Sequence, residues 1–321
     1  MLSKKQYRVR NWKEYNQALV KRGSLTFWVT EACIQQWKSQ QIGKGRGRPE
    51  KYSDLAIQTG LTLKALFRLT FRATEGFIKS LLELSKVELE VPTYSLLCKR
   101  QKSIAIDLPK KALHSGEALH LALDTTGLKV YGEGEWKVRQ HGWVKHRLWR
   151  KFHLAINTES QQIEAFALTD LGVQDCEGVP LLLDQIAEPI ASMRGDGAYD
   201  RFSCYEEADK RKCQLITPPQ RNARLSSERK KYTRKPKPEV LRKRDTVIHH
   251  VRQLGRKEWK ITQGYHQRSL AETAMSRVKT LLGNRLSTRK LENQTVEAAI
   301  WCNIVNRMTA LGMPIPMVIE Q

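Results

Sequence analysis

The sequence predicts an α/β fold, a mixed sheet flanked by helices, preceded by an all-α domain. Three observations lead there. Up to about residue 115, apolar residues recur at helical spacing behind Ser and Thr caps. After Ser115-Gly116, strand-like runs take over in the order three strands, helix, strand, helix, strand, the pattern of a mixed sheet covered by helices. With 321 residues, 40% of them hydrophobic, the chain is long enough for two or three domains with their own cores. We divide it at 1–52, 53–115 and 116–321, with a basic insert at 219–250 in the last.

Residues 1–42 read as amphipathic helix, with Trp12, Tyr15, Leu19, Phe27, Trp28 and Trp37 as packing residues. GKGRGRPEKY (43–52) is rich in Gly, Arg and Pro, so it reads as an extended linker. Ser53, Thr74 and Thr93 are expected to cap three successive helices, the last a short basic one, TYSLLCKRQK. HLALDTTGLKVY (120–131) reads as a strand ending in a carboxylate and a turn. Residues 150–170 form two alternating runs around Asn157-Thr158-Glu159-Ser160, a hairpin. Helix is expected at 179–188, strand at 191–196, helix at 200–212 and strand at 213–218. In 221–244, Pro236 and Pro238 argue against helix, which resumes at 245–254 and again at 265–283. A last helix is expected near 292–311.

The chain carries 56 Lys and Arg against 33 Asp and Glu, a net charge of +23, which points to a polyanion and by default to nucleic acid. No apolar run nears the ~18 residues of a membrane span. The N-terminus lacks the apolar segment of a signal peptide. Six scattered cysteines with no Cys-x-x-Cys pair argue against a zinc site and fit a reducing cytoplasm. Three stretches could meet double-stranded DNA. Arg46 and Arg48, around Gly47, match the core of a minor-groove AT-hook, or belong to a plain basic linker. Helices 53–101 fit either a helix-turn-helix domain, with Thr93, Tyr94, Ser95, Lys99 and Arg100 as its recognition residues, or a structural bundle. Residues 221–244 hold eleven Lys or Arg, among them Arg229, Lys230 and Lys231, against two acids. They form either a phosphate-gripping loop or a disordered solubilising insert.

Three acids stand out by position: Asp124 on the first strand, Asp196 between Gly195 and Gly197, and Glu272 on the helix at 265–283. They lie 72 and 76 residues apart, so only a fold could gather them. Each alone could be an ordinary turn or capping residue. Together, three carboxylates on rigid elements suit two Mg²⁺ or Mn²⁺ ions, which can drive phosphodiester chemistry. Tyr265, Arg268, Glu272 and Lys279 fall within roughly 60° of one another on a helix of about 100° per residue. The far side carries Leu270, Ala271, Ala274, Val278, Leu281 and Leu282. A solvated face of ordinary ion pairs would look the same.

LALDTTGLKV, RGDGAYD and the Tyr265, Arg268, Glu272, Lys279 pattern resemble the DDE transposases of bacterial insertion sequences. GSLTFWVT (23–30), GRPEKYSDLAI (47–57), VPTYSLLCKR (91–100) and GRKEWK (255–260) resemble blocks of the insertion-sequence-five family in particular. The resemblance runs nearly end to end. It implies a ribonuclease H-like catalytic core whose metal ligands are Asp124, Asp196 and Glu272, with Tyr265, Arg268 and Lys279 on transposon-end phosphates. It also implies magnesium-dependent cleavage of terminal inverted repeats, strand transfer to target DNA, a homodimer in the active complex and a cytoplasmic setting. The rival expectation is a non-catalytic DNA-binding protein or repressor derived from such an enzyme.

Overall fold

The computed structural model describes residues 6–40, 49–112, 114, 116–130, 149–229 and 236–319. The chain starts with β1 (Gln6–Val9), α1 (Trp12–Arg22), α2 (Leu25–Trp28) and α3 (Glu31–Gln35). Three longer helices follow: α4 (Asp54–Leu66), α5 (Phe71–Leu84) and α6 (Tyr94–Gln101). Ser53 accepts from the Ala56 amide and Thr93 from that of Leu96, as their sequence positions suggest. The cap of α5 is Thr70 instead of Thr74. Phe71, Arg72 and Ala73 already extend the helix, and Thr74 lies inside it with its hydroxyl donating to the Thr70 carbonyl. Trp28 and Trp37 are buried, but Trp12 is 58% exposed and Leu19 is exposed too. The short β1, with helices of eleven, four and five residues, cannot offer one continuous apolar stripe.

A second compact unit spans Lys110–Arg289. It contains β2 (Leu119–Val130), β3 (Trp149–Asn157), β4 (Ile163–Asp170), α7 (Gly178–Leu183), β5 (Ile190–Arg194), α8 (Phe202–Lys210) and β6 (Gln214–Ile216). Helices α9 (Pro238–Leu254), α10 (Arg256–Thr262) and α11 (Ser269–Leu282) and the short β7 (Arg285–Leu286) complete it. The sheet order is β4-β3-β2-β5-β6, with β7 on the far end of β2. β2, β3 and β4 are antiparallel, while β5 and β6 run parallel to β2, so the mixed sheet expected from the sequence is present. Leu119, Leu121 and Leu123 point to one face, into a core with Val179, Leu182 and Leu183 of α7 and Cys204 and Tyr205 of α8.

Two expectations need correction here. β2 does not end at Asp124: it pairs with β3 as far as Lys129, because Thr125 and Thr126 suit a strand that has a partner. Helix α9 begins at Pro238, not near 245. Proline is acceptable at a first helical position, where its missing N–H has no partner to lose.

The chain ends with α12 (Leu291–Leu311) and β8 (Pro316–Ile319). These belong with residues 1–109 in the first unit, not with the sheet domain that a boundary at 115 would give them. α12 packs on α1 and α4, and Asn303 and Asn306 donate to the carbonyls of Asp107 and Pro109. β8 pairs antiparallel with β1, Gln6 opposite Ile319.

Candidate active site

β2 and β5 are parallel neighbours, with Ala122 opposite Arg194. Two residues further on stand Asp124 and Asp196. The parallel register sets Asp124, within β2, beside the point where the chain leaves β5 toward Asp196. Asp196 leaves β5 through a 3-10 turn, Gly197–Tyr199, which it caps by accepting from the Ala198 amide at 2.8 Å. Thr217, just past β6, donates to the Asp196 carbonyl. Gly195 is needed for close packing: a Cβ there would lie 2.6 Å from a Tyr199 ring carbon.

β2 also receives α11. Lys279 donates to the Thr126 hydroxyl, and Thr126 shares its side of β2 with Asp124. Tyr265–Arg268 form a 3-10 turn ahead of α11, not its first turn, after Gly264 in the left-handed region. Tyr265 is buried, packed with Ile216 and Trp259, with Lys260 5.0 Å and Arg268 5.9 Å from its ring centre. The buried side of α11 is Ala271, Ala274, Met275, Val278 and Leu282, close to the expected apolar face. Arg194 was not singled out from the sequence, yet it donates to the Gly264 carbonyl and to Ser192, holding the Tyr265 turn beside β5.

Burial raises the Asp124 carboxyl above the ordinary aspartate range; Asp196 and Glu272 add to the rise, while the Thr125 amide and Arg268 oppose it. Burial also raises the Tyr265 phenol, opposed by Arg268 and reinforced by Asp196 and Glu272. Glu272 is paired with Arg268, one turn earlier. Among the described residues, no three His, Cys, Asp or Glu side chains stand close enough together to hold a metal ion. Lys279 ties α11 to β2, and Glu272 is engaged by Arg268. The donor set itself suits a hard cation: three carboxylates, with Asp124 and Asp196 each giving one oxygen to a backbone amide.

Residues 115–307, more than half of the chain, match the family model described as transposase DDE domain. The chain belongs to that transposase family. A second transposase DDE-domain model matches residues 20–133. A cryo-EM structure of a piggyBac transposase synaptic complex with hairpin DNA is similar at 10% identity and a TM-score of 0.39. It covers 90% of this chain and 73% of that one.

The remaining sequence candidates in this DDE-family chain differ in where they lie. Arg46, Arg48, Lys230 and Lys231 lie outside the described residues. Thr93, Tyr94, Ser95 and Lys99 are exposed on the first unit, where Arg72 stacks 4.6 Å from the Tyr94 ring centre. Arg100 is engaged differently: it bonds Asp54, Glu50 and the Tyr52 carbonyl with only 11% of its side chain exposed, and so ties α6 to the start of α4. Arg229 is half-buried, 5.1 Å from the Phe202 ring centre. Of the eleven cations in 221–244, Arg244 is withdrawn from any DNA-facing role by a buried two-pronged pair with Asp200.

Proposed function

We propose that this chain is an insertion-sequence transposase of the insertion-sequence-five type, with a ribonuclease H-like core. It cleaves transposon ends in double-stranded DNA and joins their 3′-hydroxyls to target DNA. The observation that supports this reading is the parallel register of β2 and β5, which sets Asp124 beside the strand end that leads to Asp196, with Lys279 of the helix that carries Glu272 bonded to Thr126 two residues along β2.

In this reading Asp124, Asp196 and Glu272 would hold Mg²⁺ or Mn²⁺, two ions in all, with Glu272 released from Arg268. When bound, the ions lower the cost of generating the nucleophile and of releasing the leaving oxygen. The other residues bind and orient. Arg268 and Lys279 neutralise phosphates next to the scissile bond, and Tyr265 supports Arg268 from below. A backbone phosphate competes with Glu272 for Arg268, so substrate binding and release of the third carboxylate favour each other. The first unit, read as a helix-turn-helix domain, supplies recognition of the terminal inverted repeats through the α6 surface around Thr93, Tyr94, Ser95 and Lys99. Pairing two ends calls for a homodimer in the DNA complex, and a bacterial cytoplasm is the natural setting. Among the described residues no helix is long and apolar enough to cross a membrane.

The test uses a labelled terminal repeat, target DNA and Mg²⁺. Asp124→Ala and Asp196→Ala should each reduce cleavage and joining to background while still binding the repeat. Joining by Asp124→Ala at the wild-type rate would refute the assignment. Binding without cleavage by the wild-type chain in either metal would favour a repressor derived from a transposase.

A further inference from the structure

Behind the two aspartates lies a hydrogen-bonded chain that the catalytic reading does not use. Thr125 follows Asp124 on β2, so its side chain points to the opposite face of the sheet. There its hydroxyl lies 2.9 Å from His153 Nδ1 and 3.2 Å from the Tyr199 hydroxyl. His153 sits directly across from Thr125 on β3, and its Nε2 lies 2.8 Å from Thr169 Oγ1 on β4. His153 and Tyr199 are each 1% exposed.

The donor order follows from the ends of this chain. The Thr169 hydroxyl donates to the Asp170 carbonyl, so it accepts from His153 Nε2–H. His153 Nδ1 is then an acceptor and takes the Thr125 proton. The Thr125 oxygen in turn accepts from the Tyr199 hydroxyl. Every hydroxyl proton and both ring nitrogens are used, in a single direction. Two glycines hold the rings close: a Cβ at Gly178 would lie 2.4 Å from His153 Nδ1, and one at Gly195 would lie 2.6 Å from the Tyr199 ring.

The position of this chain matters more than its polarity. Tyr199 belongs to the turn that Asp196 caps, and Thr125 is covalently next to Asp124. One hydroxyl therefore ties the carrier of the first acid to the carrier of the second. We propose that Tyr199, Thr125 and His153 form a strut that fixes the spacing and aim of Asp124 and Asp196 for a divalent cation. They are positioning residues and touch neither substrate nor metal. The proposal rests on the reading of the two aspartates as ligands. It adds that their geometry is set from the opposite face of the sheet.

The experiment measures Mn²⁺ binding to the full chain without DNA, by electron paramagnetic resonance of the free ion, together with thermal melting. Thr125→Val keeps the side-chain volume and breaks the chain. It should weaken Mn²⁺ binding roughly tenfold to a hundredfold, the range seen when outer partners of metal ligands are removed. Thr125→Ser should restore most of that affinity, which a merely space-filling role would not predict. Tyr199→Phe keeps the ring on Gly195 and removes only the far donor, so it decides the matter if Thr125→Val fails to fold. Wild-type Mn²⁺ affinity in a cooperatively melting Tyr199→Phe, or in a folded Thr125→Val, overturns the strut. Asp124→Asn serves as the control. If it binds Mn²⁺ like wild type, the aspartates are not the ligands and both readings fall; if it loses binding while Thr125→Val and Tyr199→Phe do not, only the strut falls.

Discussion

His153 shows what burial does to one titratable side chain. Its imidazole is held well below its ordinary 6.5, at about 4, chiefly by burial. Lys151 pushes the same way, and Asp175 opposes both. The folded state therefore keeps the ring neutral where an unfolded chain would protonate it. A group whose folded value is depressed contributes stability above its unfolded value, and that stability is lost as pH falls. The melting temperature should accordingly decline from pH 6.5 toward pH 4. His153→Gln, less stable at neutral pH, should decline less steeply over the same window. Parallel curves for the two proteins would show that His153 is not the group responsible. The same neutrality keeps one nitrogen a donor and the other an acceptor, as its two threonine partners require.

At the scale of elements, a buried ion pair helps to fasten α9. Arg244 meets both Asp200 carboxylate oxygens at 2.9 and 2.8 Å, and Asp200 also accepts from the Gln220 amide. Removing one partner leaves the other charged and buried, so Asp200→Ala should cost about 3–5 kcal/mol in urea denaturation. Asp209→Ala, which breaks the exposed pair with Lys243 on the same helix, should change little. Equal effects from the two substitutions would mean that burial does not govern this contact. Arg244 also marks where sequence reading stops. In a run of eleven cations nothing local marks Arg244 as one that turns inward, because its partner lies 44 residues away. Local signals did locate α4, α6 and the β3-β4 hairpin, whose caps, alternation and turn residues are all near in sequence. The start of α5 is not legible in the sequence because Thr70 and Thr74 are equally good caps by type. Nor is the β1-β8 pair, because two four-residue strands far apart in sequence carry almost no pattern of their own. For the site, spacing suggested the stripe of Arg268, Glu272 and Lys279. It did not show that Tyr265 lies in a 3-10 turn, nor that Thr125, His153 and Tyr199 meet behind the acids.

At the scale of the whole molecule, the net charge of +23 predicts binding to DNA that weakens steeply with salt. Each phosphate neutralised contributes about −0.9 to the slope of log affinity against log salt. Fluorescence anisotropy on a labelled duplex, read across a NaCl series, measures it. Lys279→Ala should reduce the magnitude of that slope by about one and weaken all sequences alike. Arg268→Ala should do more, because it also leaves the Glu272 carboxylate uncompensated beside the DNA backbone. The double variant Arg268→Ala with Glu272→Gln should then recover part of the lost affinity, although it lacks the same phosphate contact. No recovery would mean that Arg268 acts only as a phosphate ligand. Recovery to wild-type affinity would mean that it acts only as the partner of Glu272. An intermediate value would show one arginine shared between a carboxylate and a phosphate.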